Sequence, residues 1–316
     1  MDGFDLARAR VAVVINAASG KGAAADLRGA ITDALSGRCA SLDWHEIPKG
    51  GNPGDLAARA RDAGADVVLS VGGDGTQAAV AQALAGSDVV MAPIPTGTFN
   101  YFARDLGMGD DAATALTTLI AARPRAIDLA EVNGTVFLNN ASFGLYPEIL
   151  EARESLYRRW GRSRLGAYWT VLTSLTQMRR RMRLSVQDGD RLRRFKTRLA
   201  FVAASPLQLE SLGLEGGEAL HDGHLALFVA HGRSPWALIG AALRLAMGRA
   251  ARASDFDLIC ADDLTIDSRP RQRKVAHDGE KSQMSGPFRL RVRPDALWVL
   301  APERRPDGSI ARGARP

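Results

Sequence analysis

Over the first 125 residues, short apolar runs alternate with longer segments of helical spacing. The runs that predict strands are VAVVI (11–15), ASLDWHEI (40–47), DVVLSV (66–71) and DVVMAPI (88–94). Helical spacing follows them over about 23–36, 55–63, 76–85 and 111–122. Short buried strands that alternate with helices are typical of a parallel sheet covered on both faces. We therefore predict an α/β domain over residues 1–125, with a mainly parallel sheet flanked by helices.

After residue 125 the pattern changes to strand-like runs joined by turn signals. Asn133-Gly134 separates two such runs, which is the strongest short hairpin signal. Helical spacing is found only over about 148–183 and 235–249. We therefore predict a mainly antiparallel β domain over residues 126–316. Its last residues can return to the first domain, and we expect the tail after about 303 to be frayed.

The charge of the chain is concentrated in one segment. Residues 151–200 hold 14 Lys or Arg against 4 Asp or Glu, whereas the whole chain carries +6. Such a segment indicates a surface that faces a polyanion, either nucleic acid or an anionic membrane, or a solvated helical face. The overall content of 46% hydrophobic and 24% charged residues is ordinary for a globular protein and excludes a disordered or fibrous one.

Cysteine usage and the start of the chain bear on the compartment. Cys39 and Cys260 are far apart and form no CxxC pair, so neither a disulfide framework nor a zinc site is indicated. The first residues lack the features of a signal peptide, and no apolar run reaches the roughly 18–20 residues that span a bilayer. We expect a cytoplasmic protein.

The run Gly72-Gly73-Asp74-Gly75-Thr76 joins the third predicted strand to a helix. Glycines let backbone N–H groups approach an anion, and the N-terminus of the following helix favours negative charge. Asp74 can hold a magnesium ion or a water network, and Thr76 can cap the helix or donate to a phosphate oxygen. A tight strand–helix connection would need fewer of these residues, so we predict phosphate binding.

Two further glycine-bearing turns follow the first and fourth predicted strands, over residues 16–22 and 95–100. Because ligands of parallel sheets bind at the carboxyl ends of the strands, the three turns predict one nucleotide site built mostly from backbone. Neither additional turn is a Walker A loop or a dinucleotide-binding fingerprint.

Four motifs then occur in a characteristic order: GGDGT (72–76), PTGTFNYFARDLG (95–107), EALHDGHLALFV (218–229) and VAHDGE (275–280). With this order and spacing, the chain resembles the diacylglycerol kinase catalytic-domain family over about residues 10–302. That family contains soluble bacterial lipid kinases, diacylglycerol kinases, and sphingosine and ceramide kinases. The resemblance implies a two-domain lipid kinase that uses ATP and Mg²⁺ to phosphorylate a lipid hydroxyl.

The resemblance also implies roles for individual residues. It implies ATP binding by Asn16, Ser19, Gly20, Gly72, Gly73, Asp74, Gly75, Thr76, Thr98 and Asn100. It implies a structural magnesium site at Asp222 with the carbonyls of Ala219 and His224, although the same residues could form an ordinary hairpin. The chain departs from the family at Gln77, Ala78 and Ala79, where two polar groups beside the phosphates are lost.

Asp278 and Glu280 flank a glycine in the last motif and are the predicted catalytic residues. Phosphoryl transfer needs positioning, magnesium, and a group that orients or deprotonates the acceptor hydroxyl. We favour Asp278 as the base, with Glu280 supporting the metal or the orientation of the acceptor. The alternative is an ordinary solvent-exposed turn.

Residues 148–183 mix aromatic and aliphatic side chains with arginines, as membrane-interface segments do. The residues predicted to approach a membrane lipid are Trp160, Trp169, Arg179, Arg180 and Arg181. Two amphipathic helices that cover a sheet would show the same pattern. We expect peripheral association with an anionic membrane and no nucleic-acid partner, because no known nucleic-acid-binding motif is found.

Several functions stay open at this point. An NAD kinase-like enzyme would also use GGDGT, and Ala78 and Ala79 are compatible with a nucleotide-binding protein that lacks turnover. A homodimer is compatible with the sequence. The identity of the lipid is not determined by these residues.

Overall fold

A computed structural model of the chain describes residues 4–16, 21–144, 181–231 and 256–303. It divides into two compact units, Met1–Leu129 with Arg293–Pro316 and Ala130–Val292. The second unit is thus inserted into the first, and the chain passes between them after Leu129 and after Val292. The first of these passages, after Leu129, comes a few residues later than the predicted boundary at 125. The predicted combination of a mainly parallel α/β part and an antiparallel β part is confirmed.

The first unit is built on a parallel sheet. Its strands are β1 (Arg10–Asn16), β2 (Ser41–Ile47), β3 (Val67–Gly72), β4 (Val90–Pro95), the first part of β5 (Arg123–Val132) and the C-terminal part of β16 (Phe288–Ala301). The order is β2-β1-β3-β4, all parallel, and β16 continues it in parallel with β4 at Val299 and Met91. Every residue of β3 and β4 is buried, as expected for parallel strands that are covered on both faces.

The first unit contains five α-helices in its described residues, and two of them begin at a side-chain cap. The helices are α1 (Lys21–Leu35), α2 (Pro53–Asp62), α3 (Asp74–Leu84), α4 (Tyr101–Asp105) and α5 (Ala112–Ala121), preceded by a short 3-10 turn at Leu6–Arg8. Asn52 caps α2 and Asp111 caps α5, each through a side-chain oxygen that accepts a backbone N–H. The long helices are confirmed. The sequence did not predict α4, because one and a half turns carry no measurable period.

The second unit is an antiparallel β-sandwich. Its strands are β6 (Thr135–Phe137), β7 (Asn140–Gly144), β8 (Met182–Asp188), β9 (Arg191–Thr197), β10 (Leu199–Ala203), β11 (Leu225–Ala230), β12 (Phe256–Ala261), β13 (Asp263–Arg269), β14 (Gln272–His277) and β15 (Glu280–Ser285). One sheet has the order β12-β11-β10-β7-β14-β15, and the other runs β16-β13-β8-β9. The predicted hairpin at Asn133-Gly134 is confirmed, since Val132 pairs with Thr135.

The core of the second unit lies between the inner faces of these two sheets. Phe143 of β7 packs against Phe288 of β16 with ring centroids 5.0 Å apart, and Leu184, Val202 and Ile266 belong to the same cluster. Alternate residues of each strand point into this layer. On the opposite face of β10 and β11, Ala203, Ala226 and Phe228 form a second apolar cluster with Leu209.

Two short helices of this unit, α6 (Pro206–Ser211) and α7 (Gly217–His221), were not predicted. Because Gly217–His221 is helical, the hairpin alternative for the third motif is wrong. The predicted helix over 148–183 lies almost wholly outside the described residues, but its last residues are wrong, since β8 begins at Met182. The predicted helix over 235–249 lies outside the described residues.

Candidate active site

The turn after β3 is shaped by close contact with the turn after β4. A Cβ added to Gly97 would lie 2.7 Å from the Cα of Gly73 and 2.8 Å from Oδ1 of Asn100. A Cβ added to Gly73 would lie 3.2 Å from the Cα of Gly97. The two backbones therefore touch, and only glycine allows this approach.

The N-terminus of α3 is open at this turn. Gly73 is its N-cap, in extended conformation (φ −85°, ψ −176°), and no side chain caps the helix. The proposed cap by Thr76 is therefore wrong; the Thr76 side chain instead lies where a Cβ on Gly72 would be. Uncapped first-turn N–H groups at the positive end of a helix dipole are suited to bind phosphate.

The Asp74 side chain connects the two turns, and the Asn100 side chain holds the second turn together. The Asp74 carboxylate accepts the backbone N–H of Asn100 at 3.0 Å and that of Phe102 at 3.4 Å. Asn100 has φ 53° and accepts the N–H of Gly97 at 2.9 Å through Oδ1. Its Nδ2 donates to the carbonyls of Gly97 and Asp110 at 3.2 and 2.8 Å. Both residues thus maintain the shape of the predicted ATP site.

Gln77 has a structural role that the sequence did not reveal. Its side chain is buried, and Nε2 donates to the carbonyls of Ser70 at 2.9 Å, Gly72 at 3.3 Å and Ile94 at 3.5 Å. The amide therefore joins the carboxyl ends of β3 and β4 directly beneath the two turns. The only available signal was a polar residue on the helix face that Ala81 and Leu84 bury against the sheet.

The remaining predicted ATP residues lie at the same edge or outside the described residues. Asn16 ends β1, which pairs with β3, so the carboxyl ends of β1, β3 and β4 meet at one edge. Thr98 is exposed in the turn after β4. The next residue, Phe99, is 58% exposed and stacks on Tyr101 with ring centroids 5.6 Å apart. Ser19 and Gly20 lie outside the described residues.

In the second unit, the last motif forms the turn between β14 and β15. His277 pairs with Glu280, and Asp278 and Gly279 have φ 45° and 86°. Asp278 is half-buried and Glu280 is exposed. The two predicted catalytic carboxylates therefore share one tight turn but differ in their surroundings.

The Asp278 carboxylate is held by the connection between β6 and β7. Oδ2 accepts the N–H of Leu138 at 2.6 Å, and Oδ1 accepts those of Asn139 and Asn140 at 2.8 and 3.1 Å. The Asp278 N–H donates in return to the carbonyl of Asn140 at 3.0 Å. An ordinary exposed turn would not hold a carboxylate in this way, so Asp278 has a specific structural partner.

Sequence reasoning missed this partner segment. Asn140 is buried, and its Nδ2 donates to Oε1 of Gln208 in α6 at 3.1 Å. Ser205 caps the same helix by accepting the N–H of Gln208 at 3.1 Å. Two consecutive asparagines within an otherwise apolar run were the signal that could have found the segment, since buried amides need partners.

His277 stands beside the two carboxylates. Its Nε2 lies 2.9 Å from Oγ of Ser282. Burial lowers the pKa of His277 below its ordinary value of 6.5, and the charge of Glu280 offsets part of this effect. The ring is therefore neutral at neutral pH.

The predicted structural magnesium site lies in the turn between α7 and β11. Asp222 follows α7, and the Ala219 carbonyl accepts the N–H of His224 at 2.9 Å. Oxygen donors suit Mg²⁺, but this turn offers one carboxylate, and one of its two carbonyls already accepts a hydrogen bond. Within the described residues, no group of three or more His, Cys, Asp or Glu side chains is placed to hold a metal.

Of the residues predicted to approach a membrane, Arg181 alone belongs to the described part of the chain. It directly precedes β8. Burial lowers the pKa of Arg198, and the positive charge of Arg181 lowers it further. Trp160, Trp169, Arg179 and Arg180 lie outside the described residues. No helix in the described ranges has the length and apolar content to cross a bilayer.

Comparison with known proteins supports the resemblance for the first part of the chain. Residues 10–132 match the family model for the diacylglycerol kinase catalytic domain. A protein of Pseudomonas syringae pv. tomato named "Probable lipid kinase YegS-like" is 36% identical over 126 residues, 39% of this chain and 41% of that protein. A "Diacylglycerol kinase" of Bacillus subtilis is 38% identical over 102 residues, 30% of this chain and 34% of that protein.

The similarity in fold extends further along the chain. A crystal structure described as a diacylglycerol kinase of Bacillus anthracis str. Sterne covers 94% of this chain and 98% of its own, with a TM-score of 0.69 and 19% identity. At this identity the likeness shows the fold. The sequence matches to the relatives span less than half of their length.

Proposed function

We propose that this chain, whose residues 10–132 match the diacylglycerol kinase catalytic domain, transfers the γ-phosphoryl group of ATP to a hydroxyl of a membrane lipid. The observation that carries the proposal is the backbone contact between Gly73 and Gly97 at the carboxyl edge of the sheet. This contact places glycine backbone beside the N-terminus of α3, whose N-cap is Gly73, and both features suit a polyphosphate.

Magnesium fits this arrangement through Asp74. When bound with ATP, Mg²⁺ neutralises phosphate charge, and it typically takes most of its ligands from phosphates and water and only one or two from carboxylates. Asp74 is the carboxylate of the turn, and its two N–H bonds fix its orientation. The second predicted metal position, at Asp222, stays a prediction, with a single ionisable ligand.

The acceptor hydroxyl needs a group that takes its proton. Asp278 is the base in this proposal, as the sequence favours. The N–H groups of Leu138, Asn139 and Asn140 fix the orientation in which its carboxylate would accept the proton. Glu280 is exposed in the same turn and supports the metal or the orientation of the acceptor.

The relatives support a lipid as the acceptor, since their names are lipid kinase and diacylglycerol kinase. A chain that phosphorylates a membrane lipid has to associate with the bilayer, so we infer peripheral binding to an anionic membrane. Diacylglycerol is the first acceptor to test.

The test is a panel of lipid acceptors in mixed micelles with labelled ATP and Mg²⁺. Diacylglycerol, phosphatidylglycerol, a sphingoid base and a polyprenol are compared with NAD as a soluble acceptor. Transfer to one lipid and not to NAD is the expected result. Transfer to NAD would indicate an NAD kinase-like enzyme, and ATP binding without transfer to any acceptor would indicate a non-catalytic nucleotide-binding protein.

A further inference from the structure

A row of like charges crosses the solvent face of one sheet in the second unit. Strands β13, β8 and β9 lie side by side, with β9 at the edge. Arg269 pairs directly with Arg183, and Arg183 pairs directly with Lys196. Directly opposite residues project from the same face with Cβ atoms about 4.5–5.5 Å apart, and like charges in this position destabilise a sheet. All three side chains are exposed.

Arg194 extends this row along β9, two residues from Lys196 and on the same face. We call Arg183, Arg194, Lys196 and Arg269 the basic face. Within the described residues, none of the four belongs to an ion pair. Two acidic residues of β13, Asp263 and Asp267, share this side of the sheet. Asp263 lies opposite Arg291 and Asp267 lies opposite Ser185, and neither forms an ion pair with the basic face.

An exposed leucine adjoins the basic face. Leu192 is 52% exposed and lies two residues before Arg194 and four before Lys196 on β9, so it projects from the same side. Apolar groups beside cations suit a membrane interface, where the apolar group enters the boundary region and the cations meet phosphates. A nucleic acid would satisfy the cations but would leave the leucine without an apolar partner.

We infer that the basic face, together with Leu192, binds the surface of an anionic phospholipid bilayer. The biological role of this binding rests on the proposed function, since a lipid kinase must reach a bilayer. The basic face shares only Arg183, the last residue, with the predicted membrane segment over 148–183; its other three residues lie on β9 and β13.

A purely structural explanation accounts for only part of the pattern. Cations on an exposed edge strand prevent unwanted pairing with another chain. That explanation covers Arg194 and Lys196 on β9, but Arg183 and Arg269 lie one and two strands inside the edge. A charged row that extends inward is expected of a surface that meets an anionic partner face-on.

The test measures binding of the full chain to vesicles of phosphatidylglycerol and phosphatidylcholine by sedimentation. Arg194→Gln with Lys196→Gln is compared with Arg38→Gln with Arg59→Gln, which changes the net charge equally on the first unit. A basic residue near an anionic surface contributes about fivefold in affinity, so we expect a loss of roughly 25-fold in the first pair. The control pair should bind nearly as the wild type does.

Salt and the leucine provide a second measurement. Binding of the wild type should weaken as salt rises, because exposed charges are screened. Leu192→Ser should lower binding severalfold, whereas Ile120→Ser, which alters a residue 44% exposed on α5, should not. Thermal unfolding of each variant shows that the fold is retained.

Three results would overturn the inference. They are an equal loss of vesicle binding in the two charge variants, vesicle binding that does not change with salt, and larger oligomers of the Arg194/Lys196 variant with unchanged vesicle binding. Retention on duplex DNA but not on vesicles would also contradict it. Since vesicle binding needs no turnover, a chain that phosphorylates no lipid but loses binding in the Arg194/Lys196 variant would contradict the proposed function alone.

Discussion

The glycine turns of the first unit and the DGE turn of the second use side chains in opposite ways. In the first unit, Asp74 accepts a backbone N–H of the neighbouring turn, Asn100 accepts one of its own turn, and the predicted phosphate site consists of backbone. In the second unit, the backbone of 138–140 holds Asp278, and the proposed chemistry depends on carboxylates. A backbone site depends on how closely two turns approach, whereas a carboxylate site depends on how its side chains are anchored.

Removing the carboxylates of the DGE turn should have the largest effect. General-base catalysis contributes about 10²–10⁴-fold, so Asp278→Asn should lower kcat by that range with little change in ATP affinity. Because three N–H donors then lose their anionic acceptor, the variant should also be less stable by about 1–3 kcal/mol. Lipid kinase kinetics and thermal unfolding, measured together, check both effects.

Glu280→Gln is the matched comparison in the same turn. Because the Glu280 side chain is exposed, we expect unchanged stability. Its proposed catalytic role predicts a lower kcat, and added Mg²⁺ should partly restore turnover if Glu280 supports the metal. If Glu280→Gln is inactive at every magnesium concentration and Asp278→Asn loses little turnover, Glu280 is the base and Asp278 has the supporting role. Normal turnover in both variants would remove the catalytic role of the turn.

Separating the glycine turns should have the next largest effect. In Gly97→Ala, the added Cβ would lie 2.7 Å from the Cα of Gly73, so the turns must move apart. A displacement of this kind can cost roughly a hundredfold in turnover, and we expect weaker ATP binding with it. Titration with ATP and steady-state kinetics measure the two effects.

Gly29→Ala is the control for this substitution. Gly29 lies within α1 and has no atom within 4 Å of an added Cβ, so alanine should be tolerated or stabilising. Wild-type ATP affinity in Gly97→Ala would show that the contact between the turns does not shape the nucleotide site.

Gln77→Met should have a smaller effect, mainly on stability. Methionine fills a similar volume but leaves the carbonyls of Ser70, Gly72 and Ile94 without the amide donor. Loss of such a donor typically costs about 1–3 kcal/mol, and ATP affinity should fall severalfold because the strand ends loosen. Gln272→Met, at an exposed position of β14, should change neither quantity. Equal unfolding midpoints in the two variants would contradict the bridging role.

The smallest expected effect is on the pH dependence of stability. Because burial lowers the pKa of His277 in the folded state, the unfolded chain binds the proton more readily. The stability contribution is therefore complete above the unfolded pKa of 6.5 and is lost as the pH falls through the lower folded value. Calorimetric midpoints of the wild type should fall more between neutral and mildly acidic pH than those of His277→Gln. Identical pH profiles would exclude this contribution.

The α/β part of the fold was predictable because its signals are local and repeated. Each of β1, β3 and β4 is a continuous apolar run followed by a segment with the helical period of 3.6, and both signals can be read directly from residue order. The helices α4, α6 and α7 were missed because five or six residues carry no period and depend on tertiary contacts. A change of pattern predicted the first passage between the units at residue 125, four residues before Leu129, and the last residues were expected to return to the first domain without a predicted position.

For the candidate site, the sequence by itself determined which turns carry glycine, carboxylate and amide groups, and the parallel sheet brought the first-unit turns to one edge. Only the tertiary structure decided what each side chain does. Asp74 meets residues 26 and 28 positions away, and Asp278 meets residues 138–140 positions away. Hydrogen bonds over such separations depend on how strands and turns pack rather than on neighbouring residues. The same applies to the basic face, since residue order shows its charge but only strand register shows that Lys196, Arg183 and Arg269 form one row.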